Sequence, residues 1–299
     1  MVSKLKSRLI FQAVKGHLYL REWLIKKFGI SIPGMGILSR LIDRNYELTV
    51  ENGKKIFLYH KVSECYGNFL IGLWGERETH LFFDQFVERS EAPLCFVNIG
   101  ANIGEMMLDM ASRPEVSHVY AAEPIPACMY GLQETVRING FKHVTLIQKG
   151  FGRTVGEKQF IIDQRSPTAS HFMREGDRGE SIIVEQTTLD RALPELSEQV
   201  VMLIDVEGSE LEVVEGGAAF IRRHNPVIIF EYNDTTQHHF TLDEMRQALG
   251  INYTIFKLCG NGLLDSRLEQ SWNLVAVPNN SPAKEICAAL AVPSGTATS

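Results

Sequence analysis

At 299 residues, 44% hydrophobic and 22% charged, the chain has the makeup of a folded globular protein, long enough to bury a core and carry an appendage. Its formal net charge of -6 argues against a nucleic-acid partner, and no apolar run approaches the roughly 18 residues that a membrane span needs. Five cysteines (Cys65, Cys95, Cys128, Cys259, Cys287) form no C-x-x-C pair, so they are expected as free thiols of a reducing, cytoplasmic compartment, without a Cys/His metal cluster.

The first 29 residues carry seven Lys/Arg against one acid, Glu22, with Leu9, Ala13, Leu20, Leu24 and Phe28 at roughly helical spacing. A basic amphipathic helix is expected over residues 1–30. Two roles stay open for it: peripheral contact with the inner face of a membrane, or docking on the following domain or on a second subunit as a homodimer. Pro33, Gly34 and Gly36 mark a linker, and ELTVENGKKIFLYH places Asn52-Gly53 between alternating runs, a hairpin signal. This extension, residues 1–75, is followed by an amphipathic helix in GERETHLFFDQFVERS.

From Leu94 onward, apolar strands alternate with helices: LCFVNI, NIGEMMLDMAS, HVYAAEP, PACMYGLQETVRING, HVTLIQKG. Two further extended runs, EKQFIID and SIIVEQTTL, precede the strand VVMLIDVEG, the helix GSELEVVEGGAAFIRRH, the strand PVIIFEYN, the helix LDEMRQALG, and the runs NYTIFKLCGNG and WNLVAVP. Near-continuous Val/Ile/Leu strands between helices predict an α/β, Rossmann-like, doubly wound and mostly parallel sheet over residues 76–280. Residues 281–299 are expected as a frayed tail.

The stretch FVNIGANIGEMM runs from strand through glycine turn to helix. Counted from Gly100, Asn102 and Glu105 occupy the places of the second and third glycines of a dinucleotide fingerprint. A carboxylate in the first helical turn suits the helix dipole and repels a pyrophosphate. Glu123 ends the next strand, where an acid accepts ribose hydroxyls. A ribose without a phosphate, near carboxylates, points to S-adenosylmethionine. Later, MLIDVEGSELEVVEGG places Asp205, Glu207 and Glu210 at a strand mouth and helix start, with Gly208 allowing close approach. Asp205 and Glu207 can act as general base or orient a hydroxyl. They could also hold a divalent cation, but no third ligand is apparent and no metal is expected. Glu231 closes the next strand on the same rim. His238 and His239 follow in a loop, where either a base or a solvated side chain fits.

With NIGANIG, AAEPIP, TTLD at 187–190, LIDVEGSELEVVEGG and PVIIFEY in this order, the chain resembles the FkbM-type methyltransferases, a branch of the class I S-adenosylmethionine-dependent fold, from about Gly75 to Pro278. The resemblance implies a seven-stranded sheet and O-methylation of a hydroxyl on a small-molecule or glycan substrate: a sugar, glycolipid or secondary metabolite. It also implies that Asn98, Gly100, Asn102, Gly104, Glu123, Pro124 and Asp205 bind the cofactor. Asp205, Glu207 and Glu231 would lie at the transfer site, and Glu210, His238 and His239 would face substrate. Asn98 stands where the family usually has Asp, and Ile125 replaces the Asn of EPNP. A non-catalytic binding scaffold of the same shape is the alternative reading.

Overall fold

The structure is a computed structural model and describes residues 45–59, 75–162, 170–174, 179–268 and 272–292, with scattered helical positions between 12 and 28. The expected membrane or dimer helix of residues 1–30 therefore lies largely outside the described residues. Among those residues no helix is long and apolar enough to cross a membrane.

The Asn52-Gly53 signal becomes a hairpin of Tyr46–Thr49 (β1) and Lys55–Leu58 (β2), antiparallel in register Thr49↔Lys55. Gly53 takes a φ of 76° in the turn, a left-handed conformation that glycine adopts without a Cβ clash. Arg77–Glu88 (α1) follows, with Phe82, Phe83 and Phe86 fully buried. Burying each such ring stabilises the fold by roughly 2 kcal/mol.

The apolar runs form Leu94–Ile99 (β3), Val116–Ala122 (β4) and Val144–Ile147 (β5), joined by helices Glu105–Ala111 (α2) and Pro126–Asn139 (α3). After a second sheet come Leu189–Ala192 (α4), Gln199–Ile204 (β10), Glu210–Glu215 (α5), Ala218–His224 (α6) and Val227–Glu231 (β11). Leu242–Leu249 (α7), Tyr253–Leu258 (β12), Leu264–Asp265 (β13), Asn273–Pro278 (β14) and Ala283–Ala289 (α8) complete the chain. The main sheet has the order β13-β12-β14-β11-β10-β3-β4-β5. Strands β11, β10, β3, β4 and β5 run parallel, while β13, β12 and β14 are each antiparallel to the strand after them in that order. The chain leaves β3 toward β4 and returns to β10 on the other side. The C-terminal ends of β3 and β10 therefore flank a topological switch point.

Side-chain alternation sets the two faces. Leu94 and Phe96 of β3 join the core beneath α1 and α2, while Cys95, Val97 and Ile99 join the core beneath α5, α6 and α7. A third cluster unites Ile56 and Leu58 of the hairpin with Ile103, Ile125 and Cys128. The hairpin is pinned to α3 as well: Phe57 N–H donates to Thr135 Oγ1 (3.0 Å), and Lys55 and Asn139 exchange two bonds.

Four expectations change. The sheet has eight strands rather than seven, because the two residues of β13 add an outer edge. The extended runs do not enter it; Gly156–Ile162 (β7) and Glu180–Thr187 (β9) pair antiparallel and, with Gly150–Phe151 (β6) and His171–Phe172 (β8), form a separate sheet β6-β9-β7-β8. Their exposed faces, with Glu157, Lys158 and Glu185 in solvent, are incompatible with a sheet covered on both sides. The helix read through GSELEVVEGGAAFIRRH breaks into α5 and α6 at Gly216-Gly217, where a Cβ on Gly216 would sit 2.0 Å from the Gly152 carbonyl oxygen. The tail is not frayed throughout: Ala283, Cys287 and Leu290 are buried against the main core, and Val292 N–H donates to Leu264 O at 2.8 Å. Among the described residues, Cys95, Cys128, Cys259 and Cys287 are buried thiols outside any disulfide.

Candidate functional site

A cavity of about 350 Å³ opens at the switch point, among the C-terminal ends of β3, β4, β10 and β11. The β3–α2 turn forms its floor. Gly100, at φ 87°, is required there because any Cβ would lie 1.7 Å from the Asp205 carbonyl oxygen. Gly104, at φ 93°, begins α2 but lies behind the turn, where a Cβ would meet Leu132 Cδ2 at 2.5 Å. It serves helix packing and does not line the cavity, whereas Asn98, Gly100, Asn102, Glu123, Pro124 and Asp205 all do.

Glu123 is held rigidly at the end of β4. Its Oε2 accepts the Asn102 N–H at 2.9 Å, and its Oε1 accepts the Ile125 N–H at 2.8 Å. Burial pushes its carboxyl up to about 7 against these two bonds. Asn98 is buried on the floor with Oδ1 unpartnered. A buried acceptor without a donor is unusual; it suits a ligand that brings an N–H or O–H. Ile125 joins Ile103 and Phe160 in an apolar wall, so its departure from the family's Asn supplies surface for a flat ring. These residues fit an adenosyl ligand: diol acceptor at one end, apolar wall beside it, neutral acceptor on the floor.

Glu105 faces the protein instead of a ligand. Its Oε1 accepts the N–H groups of Gly75 (2.5 Å) and Glu76 (3.3 Å) and pairs with His80 Nε2 at 2.9 Å. His80 Nδ1 lies 2.6 Å from Asp109, which Arg113 also holds, and Arg113 reaches on to Asp84 at 2.7 Å. Burial opposes charge on the His80 ring, but the bonds to Asp109 and Glu105 win and raise it to about 9. The cluster straps the Gly75-Glu76 edge of the cavity to α2.

At the opposite rim the sheet gathers acids. Asp205 follows β10, and Glu207 takes a left-handed φ of 55°, so the two do not share one extended face. Glu210 is fully buried; its Oε1 accepts the N–H groups of Val206 (3.0 Å) and Gly208 (3.1 Å) and braces this turn. Glu231 Oε1 accepts from Asn233 Nδ2 at 2.7 Å. Burial raises all four carboxyls, Glu210 by burial alone, and neighbouring acids push the other three further: Asp205 well above its ordinary value, Glu207 to about 7 and Glu231 to about 8. Glu76 joins them, raised to about 7 by burial and then by Glu105.

The structure does not bring the expected histidines to this cavity. His238 is exposed in the 3-10 turn Thr236–His238, and His239 packs behind Gly208 with its Nε2 3.0 Å from Arg174 Nη1. Sequence reasoning also missed Glu76, Lys149, Phe151, Phe160, Ser170, Phe172 and Trp272, all of which line the cavity. Lys149, just past β5, was within reach of the strand-end rule; the others arrive from the second sheet or from loops.

A doubly wound sheet with a buried acid at the end of β4 and a carboxylate rim, both at its switch point, is the architecture of a Rossmann-like ligand-binding domain. The FkbM methyltransferase domain family matches residues 98–260, more than half of the chain, and the chain belongs to that family. Residues 98–260 are thus a methyltransferase domain of the FkbM type. No curated protein matches the chain. Among solved structures, the FkbM methyltransferase of Methylobacillus flagellatus KT is similar at 18% identity and TM-score 0.44, covering 62% of this chain. The chain spans 43% of the length of that protein. TYW2 of M. jannaschii, solved with AdoMet, is similar at 12% identity and TM-score 0.44, covering 78% of this chain and 84% of its own. TYW2 of P. horikoshii, solved with MeSAdo, is similar at 12% identity and TM-score 0.43, covering 78% of this chain and 70% of its own.

Proposed function

We propose that the protein is an O-methyltransferase acting on a hydroxyl of a sugar, glycolipid or secondary metabolite. The observation that carries this reading is the placement of Asp205 and Glu207 at the rim opposite Glu123, across one cavity. When bound, S-adenosylmethionine supplies a methyl group on a sulfonium that leaves readily. Glu123, fixed by two backbone donors, accepts the ribose hydroxyls, and Asn98 Oδ1 accepts from the cofactor's ammonium. The wall of Ile103, Ile125 and Phe160 packs against the base. Asp205 or Glu207 receives or steers the proton that the acceptor hydroxyl gives up, the step in which a positioned carboxylate contributes most. Glu76, Ser170, Phe172 and Trp272 shape the acceptor side.

The experiment is a transfer assay with labelled S-adenosylmethionine over cell-envelope glycans and secondary metabolites. Once an acceptor is found, Asp205→Asn and Glu207→Gln are compared with the parent. At least one is expected to lose about 100-fold or more in turnover, the scale of a lost acid-base group, with cofactor affinity little changed. Undiminished turnover in both variants would remove the carboxylates from the transfer step.

A further inference from the structure

We infer that the protein holds a divalent-cation site built from Asp205, Glu210 and Glu231, at the edge of the cavity that Asp205 and Glu231 line. The sequence presented one carboxylate pair and no third ligand; the fold assembles a different set. Glu210 comes from the first turn of α5 and Glu231 from the end of β11, the strand beside β10. One carboxylate oxygen from each of the three residues lies within 4.8 Å of the other two. Oxygens that share a cation are no further apart than twice the metal–oxygen distance, about 4.2 Å around Mg²⁺ and about 5 Å around Ca²⁺. The trio already has the spread of a coordination shell for the larger ion and is a small contraction from one for the smaller.

An independent observation concerns hydrogen bonding. Glu210 and Glu231 are 0% and 7% exposed. Each uses Oε1 on protein donors, and each leaves Oε2 buried without a partner. Two buried carboxylate oxygens left without a donor inside one three-acid cluster is an arrangement that a cation completes.

The methyl donor does not supply enough positive charge to do this alone. S-adenosylmethionine carries a sulfonium, an ammonium and a carboxylate, a net charge of about +1 at neutral pH. It meets the trio together with Glu76 and Glu207. An all-oxygen set selects hard ions, Mg²⁺, Mn²⁺ or Ca²⁺, over Zn²⁺. Three protein ligands leave coordination positions open. Given the methyl-transfer reading, on which this last step rests, those positions favour acceptors with a second oxygen adjacent to the methylated hydroxyl, a diol or a hydroxy acid, held as a template.

The test uses the full chain, freed of metal with chelator and titrated with Mn²⁺ alone while free Mn²⁺ is read by electron paramagnetic resonance. One saturable Mn²⁺ per chain, displaced by Mg²⁺ or Ca²⁺, is expected. Glu210→Gln and Glu231→Gln, each checked for a parental circular-dichroism spectrum, should bind at least about tenfold more weakly. Absence of saturable binding to the parent chain overturns the site, and so does parental affinity in a folded Glu231→Gln variant. Calorimetry with S-adenosylhomocysteine in chelator reports on the methyl-transfer reading alone, so the two can fail separately.

Discussion

At the scale of single residues, the most consequential surprise is Glu105. Its position in the first turn of a helix argued against a pyrophosphate, yet the carboxylate is committed to Gly75, Glu76 and His80 rather than to a ligand. His80 is thereby a stability element with a defined pH window. Facing it are Asp109 and Glu105 from α2, Glu76 from the segment before α1, and Arg113 behind Asp109. The folded pKa of about 9 stands above the ordinary 6.5, so the contribution is complete below pH 6.5 and is lost as pH rises through about 9. A gap of this size is worth on the order of 3 kcal/mol. His80→Gln should therefore lower the urea midpoint at pH 6 and lose much of its effect at pH 9.5. Parallel pH curves for parent and variant would show that the ring is not charged in the native state. Nothing in the local sequence announced His80, since its partners lie 25 to 29 positions away.

At the scale of elements, what the sequence disclosed depended on whether the determining contact was local. The central strands were legible because burial on both faces writes itself as an unbroken apolar run, and the hairpin because Asn52-Gly53 fixes its own turn. The site residues at strand ends, Asn98, Glu123, Asp205 and Glu231, followed from the same strands. The second sheet was not legible as a sheet, because β7 and β9 find each other across a segment with no fixed spacing. The break between α5 and α6 was hidden too. Gly216 has an ordinary φ of -70°, so its role is proximity: a side chain there would strike the Gly152 backbone, which cannot rotate away. Gly216→Ala should destabilise the protein by roughly 1–3 kcal/mol, the range for overpacking. Gly131→Ala is the control. It lies within α3, where a Cβ would meet nothing nearer than the Phe57 carbonyl oxygen at 3.5 Å, so helix propensity should leave it neutral or stabilise it by about 1 kcal/mol. Chemical denaturation of both variants checks the contrast; equal effects would mean that the α5–α6 junction can open without cost.

At the scale of the whole molecule, the question is which cofactors the charge distribution admits. The cavity is lined by Glu76, Glu105, Glu123, Asp205, Glu207 and Glu231, and among the described lining residues Lys149 is the one cation, itself paired with Glu185 at 2.6 Å. The chain's formal charge of -6 adds to this field. A dinucleotide would bring two phosphates into that field, and Glu105, held by Gly75 and His80, cannot swing aside to admit them. S-adenosylhomocysteine offers the same ribose and base to Glu123 and the apolar wall, carries no phosphate, and is expected to bind the folded chain alone. A ligand at 100 times its Kd stabilises the native state by about 2.7 kcal/mol, which in a protein of this size raises Tm by roughly 5 °C. S-adenosylhomocysteine at that excess should give such a shift in a thermal melt, and NAD at the same concentration should give none. Glu123→Gln separates the contributions, because an amide can keep only part of the acceptor pattern that Asn102, Ile125 and a ribose diol require together. Its shift with S-adenosylhomocysteine should fall by half or more, and its ligand-free Tm should drop as well, because one of the two backbone donors loses its acceptor. A larger shift with NAD than with S-adenosylhomocysteine would mean that the acids round the cavity do not govern what enters it.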